Sequence, residues 1–209
     1  MLLDPGRVSV RDEMVERGTG PGPEWLEAQG DVAELPGTRV LLRRWFERDL
    51  EPFAELNADP RVMEYFPSPL TRAQSDGFVR ERILPLFAKR GFGSWAVEVP
   101  GVAPFIGYVG FLEHTFDAPF TPCIEIGWRL ARAAWGNGYA TEAARIAVAF
   151  GFDHGKLDEI VSFTVPANAR SIAVMERLGM TYAGEFNHPL LPAGHPLSRH
   201  VLYRLGPRP

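Results

Sequence analysis

The chain has 209 residues, of which 45% are hydrophobic, and a formal net charge of −4 at neutral pH. This length is sufficient for one domain with a sizeable core. The acidic balance argues against a nucleic-acid-binding protein, whose contact surface would be basic. Cys123 is the single cysteine, so an intramolecular disulfide is excluded. No apolar run is long enough for a signal peptide or a membrane span, and we expect no membrane partner and a cytoplasmic location.

The first part of the chain differs in composition from the rest. Residues 1–37 are charged and rich in Gly and Pro, which predicts an irregular N-terminal arm with at most a short helix between Trp25 and Leu35. We expect this arm to make few core contacts, so that residues 1–30 are dispensable for folding. Residues 38–206 are then expected to form the globular domain.

Local signals predict the elements that follow. A first strand is expected from Thr38 to Trp45, and Asp49 is a candidate cap for the next helix. Thr71 and Gln74 have the spacing of a capping box, and the helix they open is predicted to kink at Pro85.

Strand patterns dominate the middle and the end of the chain. Residues 94–99 and 105–112 are expected to form antiparallel strands joined by a Pro-Gly turn. Residues 160–165 are β-branched and apolar, which favours a buried strand. Residues 181–186 and 199–205 are candidates for a final hairpin.

The most informative segment is a strand followed at once by a glycine turn. Residues 124–130 alternate with period two, which predicts a strand with an apolar and a more polar face. The apolar face carries Ile124, Ile126, Trp128 and Leu130, and the other face carries Glu125, Gly127 and Arg129. Residues 135–143, Trp-Gly-Asn-Gly-Tyr-Ala-Thr-Glu-Ala, then open a helix. Such a helix start binds anions, because its first N–H groups have no partner within the helix. The segment therefore predicts a phosphate or pyrophosphate site.

Two common phosphate motifs do not fit this segment. A Walker loop requires a Lys after its last glycine, and none follows Gly136 or Gly138. A dinucleotide fingerprint requires a third small residue where Thr141 stands.

The segment instead closely resembles the acetyl-CoA pyrophosphate loop of the GNAT N-acetyltransferases, in particular the RimJ/RimL-type branch. A second matching block, residues 168–180, begins with Asn168 and ends its helix at Gly179. The resemblance covers roughly residues 38–205. It implies the α/β (α+β) GNAT fold, in which a mixed, mostly antiparallel sheet is split at the acetyl-CoA site and flanked by helices.

The resemblance also implies which residues hold acetyl-CoA, with no metal. They are Ile126, Gly127, Trp128, Arg132, Trp135, Gly136, Asn137, Gly138, Tyr139, Ala140, Thr141, Asn168 and Ser171. The family often has Gln or Arg at the position of Ala133, and Arg132 is the neighbouring residue that could supply charge instead. Taken alone, Asn168 is better explained as a helix cap, and a cap can also contact the ligand.

Acyl transfer to an amine requires removal of a proton from the ammonium. Glu125 is the candidate base, and the alternative is a sheet-face carboxylate paired with Arg129. Ser171 is the candidate proton donor to the thiolate, because Met175 stands where many GNAT enzymes have Tyr. The alternative for Ser171 is a hydrogen bond from its hydroxyl to the helix backbone.

Other nucleophiles and ligands are weaker candidates. Cys123 lies beside Glu125 but belongs to no recognisable nucleophile motif with a histidine. His188, His195 and His200 lack the paired spacing of a zinc site.

These features favour an acetyl-CoA-dependent N-acetyltransferase that acts by direct transfer in a ternary complex. The acceptor is expected to be a primary amine, on a protein N-terminus or on a small molecule. A non-catalytic acyl-CoA sensor or scaffold is an alternative, and a nucleotide-binding protein is a third. A homodimer is left open.

Overall fold

The structure, a computed structural model, describes residues 24–192 and 194–207. Within this part of the chain, one mixed sheet has the strand order β1-β2-β3-β4-β5-β6-β8-β7. The strands are β1 (Leu35–Pro36), β2 (Leu41–Arg43), β3 (Ser94–Val99), β4 (Ala103–His114), β5 (Cys123–Leu130), β6 (Ile160–Thr164), β7 (Thr181–Asn187) and β8 (Arg199–Leu205).

Helices flank this sheet. They are α1 (Glu24–Glu27), α2 (Leu50–Ala58), α3 (Arg72–Phe78), α4 (Leu84–Arg90), α5 (Tyr139–Asp153) and α6 (Ala169–Arg177). Short 3-10 turns precede α2 and α5, at Glu47–Asp49 and Arg132–Ala134. None of the helices in the described ranges is both long and apolar enough to cross a membrane.

The sheet is split between β5 and β6. Strand β4 pairs with β5 from Gly107–Leu130 to His114–Cys123, in antiparallel register. Strand β6 lies on the other side of β5, is parallel to it, and shares a single registered pair with it, Glu125–Val161. The other neighbouring strands are antiparallel. The predicted mixed, mostly antiparallel sheet with a split is therefore confirmed.

Helices α2 and α3 cover the face of the sheet that carries Tyr108. The rings of Phe53 on α2 and Phe78 on α3 each lie 5.9 Å from the ring of Tyr108. Tyr108 is opposite Arg129 in the register. Because side chains alternate along a strand, Glu125 and Arg129 share this face.

Helix α5 covers the opposite face. Phe111 of β4 is fully buried and lies so close to Gly151 of α5 that a Cβ there would be 2.7 Å from its ring. Ile126, opposite Phe111 in the register, is also fully buried. The side chain of Ile126 therefore belongs to the core, and a ligand in the split can reach its backbone only.

The predicted helix start at Thr71 and the interruption near Pro85 are both present. Thr71 Oγ1 accepts a hydrogen bond from Gln74 N at 3.3 Å, and Gln74 Oε1 accepts one from Thr71 N at 2.9 Å. A π-helical turn at Val79–Ile83 separates α3 from α4 just before Pro85. Proline has no N–H and crowds the carbonyl four residues earlier, so regular pairing cannot continue there.

The prediction that the Asp49 side chain caps the helix carrying Phe53 is wrong, although Asp49 stands at the N-cap position of α2. Its side chain is fully buried and accepts a hydrogen bond from Phe46 N, at the start of the preceding 3-10 turn, at 2.9 Å. Its carboxylate also accepts hydrogen bonds from Arg43 Nη1 at 2.7 Å and Nη2 at 2.9 Å. A buried carboxylate needs a charged partner, and Arg43 on β2 supplies it. Strand β2, Leu41–Arg43, is also shorter than the predicted strand from Thr38 to Trp45.

The expectation of few core contacts in the N-terminal arm is wrong for residues 26–29. Leu26 and Gln29 are buried, with 2% and 1% of their surface exposed. Gln29 Nε2 donates to Trp45 O and Gln29 Oε1 accepts from Trp45 N, both at 2.9 Å. The average composition of the arm did not reveal this docking, which partly buried apolar side chains between residues 25 and 35 extend. Residues 1–23 lie outside the described part of the chain, and the domain boundary at residue 38 stays a prediction.

We expect Leu26→Ala to lower the free energy of unfolding by about 2–5 kcal/mol, the usual cost of truncating a buried leucine. Urea denaturation measures this change. Glu24→Ala, at an exposed position of the same helix, is the control and should change stability by less than about 0.5 kcal/mol. Equal effects of the two substitutions would show that α1 is not docked on the core.

Candidate active site

A cavity of about 990 Å³ occupies the split in the sheet. Strands β4, β5 and β6, the α2–α3 loop, the N-terminus of α5 and helix α6 all contribute to its wall. One end is formed by the glycine turn before α5, and the other contains His114 and Glu125. The two segments that the sequence singled out therefore meet in one cavity.

The α5 end of the cavity is suited to an anion. Gly138 precedes the helix with φ +79°, a left-handed conformation that favours glycine. No side chain caps the helix there, so the first-turn N–H groups from Tyr139 to Thr141 have no capping acceptor. The space in front of the loop is open, since a Cβ on Gly136 would meet no atom within 4 Å. The site thus fits a pyrophosphate that accepts hydrogen bonds from these backbone groups.

The acidic residue in the first turn of α5 does not oppose an anion here. Glu142 Oε1 accepts from Arg39 N at 2.7 Å, and its Oε2 accepts from Arg39 Nε at 2.8 Å. Arg39 Nη1 also donates to Asn137 O at 2.9 Å. The charge of Glu142 is therefore balanced by Arg39, and neither side chain lines the cavity.

Two of the predicted phosphate-loop side chains do not line the cavity. Arg132 is exposed on the 3-10 turn, and the amide of Asn137 donates to the backbone oxygens of the turn itself. Arg170 on α6 lines the cavity instead, with its guanidinium 4.4 Å from the Trp135 ring centre. A charged side chain near the loop thus comes from the second motif.

The predicted site residues fall into two groups, those that line the cavity and those that do not. Those that line the cavity are Glu125, Gly127, Trp128, Trp135, Gly136, Gly138, Tyr139, Ala140, Thr141, Asn168 and Ser171. Ile126, Arg132 and Asn137 do not, for the reasons given above. The structure therefore brings both predicted catalytic residues into the cavity that the glycine turn opens onto.

Glu125 forms a close pair with His114. Glu125 Oε2 lies 2.6 Å from His114 Nε2, and the two side chains are only 13% and 11% exposed. His114 is opposite Cys123 in the register, so it is a diagonal neighbour of Glu125 on the same face. The alternative pairing of Glu125 with Arg129 is wrong, because four strand residues separate their Cα atoms by about 13 Å.

Sequence reasoning missed His114. The predicted strand ended at residue 112, two residues short of it, whereas β4 continues to His114. The β4–β5 register that places His114 beside Glu125 has no local signal in the sequence.

Two further histidines lie at the Glu125 end of the cavity. The rings of His188 and His200 are 5.1 Å apart and pack near Phe163. Burial lowers the pKa of both imidazoles below the usual value, so they are neutral at pH 7. His195 is not part of the wall, and its Nδ1 accepts from Leu197 N at 3.1 Å. The described residues contain no group of three His, Cys, Asp or Glu that could hold a metal ion.

Asn168 and Ser171 hold the start of α6 beside the cavity. Asn168 Oδ1 accepts from Ser171 N at 3.3 Å, and its Nδ2 donates to Thr164 Oγ1 at 3.0 Å. Asn168 is therefore a helix cap that also lines the cavity. Met175, one turn later, is buried and offers no proton donor.

Cys123 is poorly suited to nucleophilic attack. Burial, reinforced by the negative charge of Glu125, raises the pKa of the Cys123 thiol to about 12. The thiolate is the nucleophilic form of cysteine, so this side chain is protonated and unreactive near neutral pH.

Comparison with known proteins agrees with this geometry. The family model described as "Acetyltransferase (GNAT) domain" matches residues 39–181. The chain is similar to YkkB, an uncharacterized protein of Bacillus subtilis, with 32% identity over 153 residues that make up 72% of this chain and 86% of YkkB. It is also similar to the FsC-acetyl coenzyme A-N(2)-transacetylase of Aspergillus fumigatus, with 31% identity over 63% of this chain and 58% of that protein.

Among solved structures, an acetyltransferase (GNAT family) from Bacillus anthracis superposes with a TM-score of 0.68 at 28% identity. The superposition covers 83% of this chain and 98% of the other. The matched family segment contains β5 and β6, the two strands of the split, together with the glycine turn before α5 and the Asn168 helix. This chain therefore belongs to the GNAT acetyltransferase family.

Proposed function

We propose that this protein is an acetyl-CoA-dependent N-acetyltransferase that moves the acetyl group directly to a primary amine in a ternary complex. The observation that carries the proposal is that an uncapped helix start and the Glu125–His114 pair share one cavity. The first can hold the phosphates of the donor, and the second can accept the proton of the acceptor. The motif at residues 135–143 supports placement in the RimJ/RimL-type branch, and a cytoplasmic location stays a prediction.

The donor is proposed to lie along the open edge of β5. Its pyrophosphate would accept hydrogen bonds from backbone N–H groups between Arg132 and Ala140, chiefly those at the start of α5. Its pantetheine arm would run beside β5 beyond Glu125, where β6 has diverged. Backbone groups of a strand edge need partners, and an extended amide-bearing arm supplies them.

The reaction then needs two proton movements. The Glu125 carboxylate takes a proton from the acceptor ammonium, either directly or through a water molecule. The amine nitrogen attacks the thioester carbonyl carbon, a C–N bond forms, and the C–S bond breaks. The electron pair of the C–S bond leaves on the CoA sulfur, where the Ser171 hydroxyl is the candidate donor of a proton.

His114 is proposed as a positioning residue in this scheme. With Nε2 protonated, its ring donates to Glu125 Oε2 and holds the carboxylate in one orientation, which leaves Oε1 for the acceptor. The neutral His188 and His200 line the same end of the cavity together with Phe163.

Gly138→Val should abolish CoA binding without unfolding the protein, because a β-branched residue does not adopt φ +79° and the backbone N–H groups at the start of α5 would lose their orientation. Isothermal titration with CoA measures binding, and a thermal melt checks the fold. Gly101→Val is the matched control: Gly101 also has positive φ, +76°, with no atom within 4 Å, and lies outside the cavity. Wild-type affinity in a folded Gly138→Val variant would refute the phosphate placement.

Glu125→Gln should lower turnover about 10²–10⁴-fold near neutral pH, the usual range for loss of a general base. The loss should shrink at high pH, where the free amine is already abundant. Steady-state thiol release over pH 6.5–9.5 measures both effects. Glu113→Gln is the control, because Glu113 is a β4 carboxylate that pairs with Lys89 and Arg90 on the surface. Near-normal turnover of Glu125→Gln at pH 7 would assign the base to another group.

Cys123→Ala should retain wild-type turnover, because the protonated thiol takes no part in a direct transfer. Mass spectrometry of the wild-type protein incubated with acetyl-CoA alone should show no acetyl-enzyme. An acetyl group trapped on Cys123, together with loss of turnover in Cys123→Ala, would overturn the direct mechanism.

A further inference from the structure

Arg129 is a buried arginine without a carboxylate partner. Only 6% of its surface is exposed, yet it lies on the wall of the cavity. Its Nη1 donates to Asn57 Oδ1 at 2.6 Å, and its Nε has no hydrogen-bond partner among the described residues. Among the described residues no carboxylate oxygen lies within 4.0 Å of it, and Glu125 acts on it only as a more distant charge, while burial lowers the pKa of the guanidinium.

A second buried arginine in the same protein shows what is missing. Arg43 is 2% exposed, and its guanidinium is bonded to the carboxylates of Asp49 and Glu98. Burying a charged group is costly unless it is paired and hydrogen-bonded. Arg43 meets this condition within the fold, whereas Arg129 does not.

The surroundings of Arg129 hold the guanidinium in place without neutralising it. Its central carbon lies 4.2 Å from the ring centre of Phe66 and 5.1 Å from that of Phe78. Aromatic faces attract a cation but carry no net charge. Asn57 is itself fixed, because its Nδ2 donates to Ser75 Oγ at 2.8 Å. The guanidinium is therefore preorganised, and the cavity is the side from which an anion can reach it.

The face of the sheet, and not the position along β5, separates Arg129 from the phosphate-binding helix start. Its neighbours Asn57, Phe66 and Phe78 come from α2, the α2–α3 loop and α3, which cover one face of the sheet. The phosphate-binding helix start belongs to α5, on the opposite face. An anion at Arg129 is therefore a different group from the donor pyrophosphate.

We infer that Arg129 binds a carboxylate of the acceptor, so that the amine substrates of this protein are carboxylate-bearing amines. This inference rests on the proposed function and names its acceptor class. One guanidinium balances one negative charge, and its planar donors match the two oxygens of a carboxylate. Since about 13 Å separates the Cα atoms of Glu125 and Arg129, an amine and a carboxylate joined by several bonds suit the site best.

The experiment compares pairs of acceptors that differ only in charge. Glycine, β-alanine, 4-aminobutyrate and 6-aminohexanoate are each assayed beside the corresponding primary amide. For at least one chain length, kcat/KM of the wild-type protein should favour the carboxylate about 10–100-fold, as expected for a charge-assisted hydrogen bond.

Substitutions at Arg129 should remove that preference. In Arg129→Met the ratio of the two kcat/KM values should fall to about one, and Arg129→Lys should restore part of it. Arg145→Met is the control, because Arg145 is an exposed arginine of α5 outside the cavity wall. Equal use of acid and amide at every length, or a preference that survives Arg129→Met, would overturn the inference.

A binding measurement keeps this test independent of turnover and of the stability of one variant. In the presence of saturating CoA, sodium butyrate should raise the Tm of the wild-type protein more than butyramide at equal ionic strength. This difference should vanish in Arg129→Met, where each shift is measured from the variant's own ligand-free Tm, because the substitution also leaves the buried Asn57 Oδ1 without its donor.

The outcomes separate the two proposals. Absence of acetyl transfer to every amine would reject the proposed function, and the butyrate measurement would still decide the carboxylate site. Turnover of amines without any effect of Arg129 substitutions on the acid-to-amide ratio would reject the site alone. If Arg129→Met does not fold, the structural role is favoured, and absence of butyrate protection in the wild-type protein then rejects the carboxylate site.

Discussion

The site depends on the single parallel pair that joins β5 to β6. Strand β5 leads into α5, and β6 returns parallel to it, so the connection is a crossover. The two strands meet at Glu125 and Val161 and diverge beyond that point. The divergence leaves one edge of β5 unpaired by β6 and points it at the N-terminus of α5. A strand edge with free backbone groups and a helix start with free N–H groups are thereby placed in one cavity.

The charged and polar groups that line the cavity come from both faces of the sheet. Helix α5, on one face, contributes its uncapped N-terminus. Strands β4 and β5 contribute the Glu125–His114 pair and Arg129 on the other face, with Phe163 of β6 beside His114 and Phe78 of α3 beside Arg129. A ligand that spans the split can therefore meet an anion site, a proton acceptor and a buried cation without any backbone rearrangement. The Glu125 and His114 side chains are themselves only 13% and 11% exposed, and low exposure to water strengthens electrostatic interactions there.

Patterns that depend on neighbours in sequence predicted much of this arrangement. The capping box at Thr71, the alternation through Glu125 and the glycine turn at Gly138 each have a local cause, and each is present in the structure. Two matching motifs in the right order also identified the fold, because both lie on the walls of the same split. These signals located the cavity and most of its predicted lining.

Pairings between distant segments could not be predicted in this way. The partner of Glu125 is His114 from the adjacent strand, the partner of Asp49 is Arg43, and the docking of Gln29 depends on Trp45. Each is set by sheet register or by burial, neither of which a single sequence displays. Composition was likewise a poor guide to the arm, because buried and partly buried side chains outweigh a polar and Gly-rich average.

The central claim is that acetyl-CoA forms hydrogen bonds with the free backbone groups at the open edge of β5 and at the start of α5. Amide hydrogen exchange with and without CoA measures this directly. CoA should slow exchange in residues 126–141 and at the start of α6, and should leave β2 and β3 unchanged. Protection confined to another part of the chain, or no change in residues 126–141 at saturating CoA, would contradict the account.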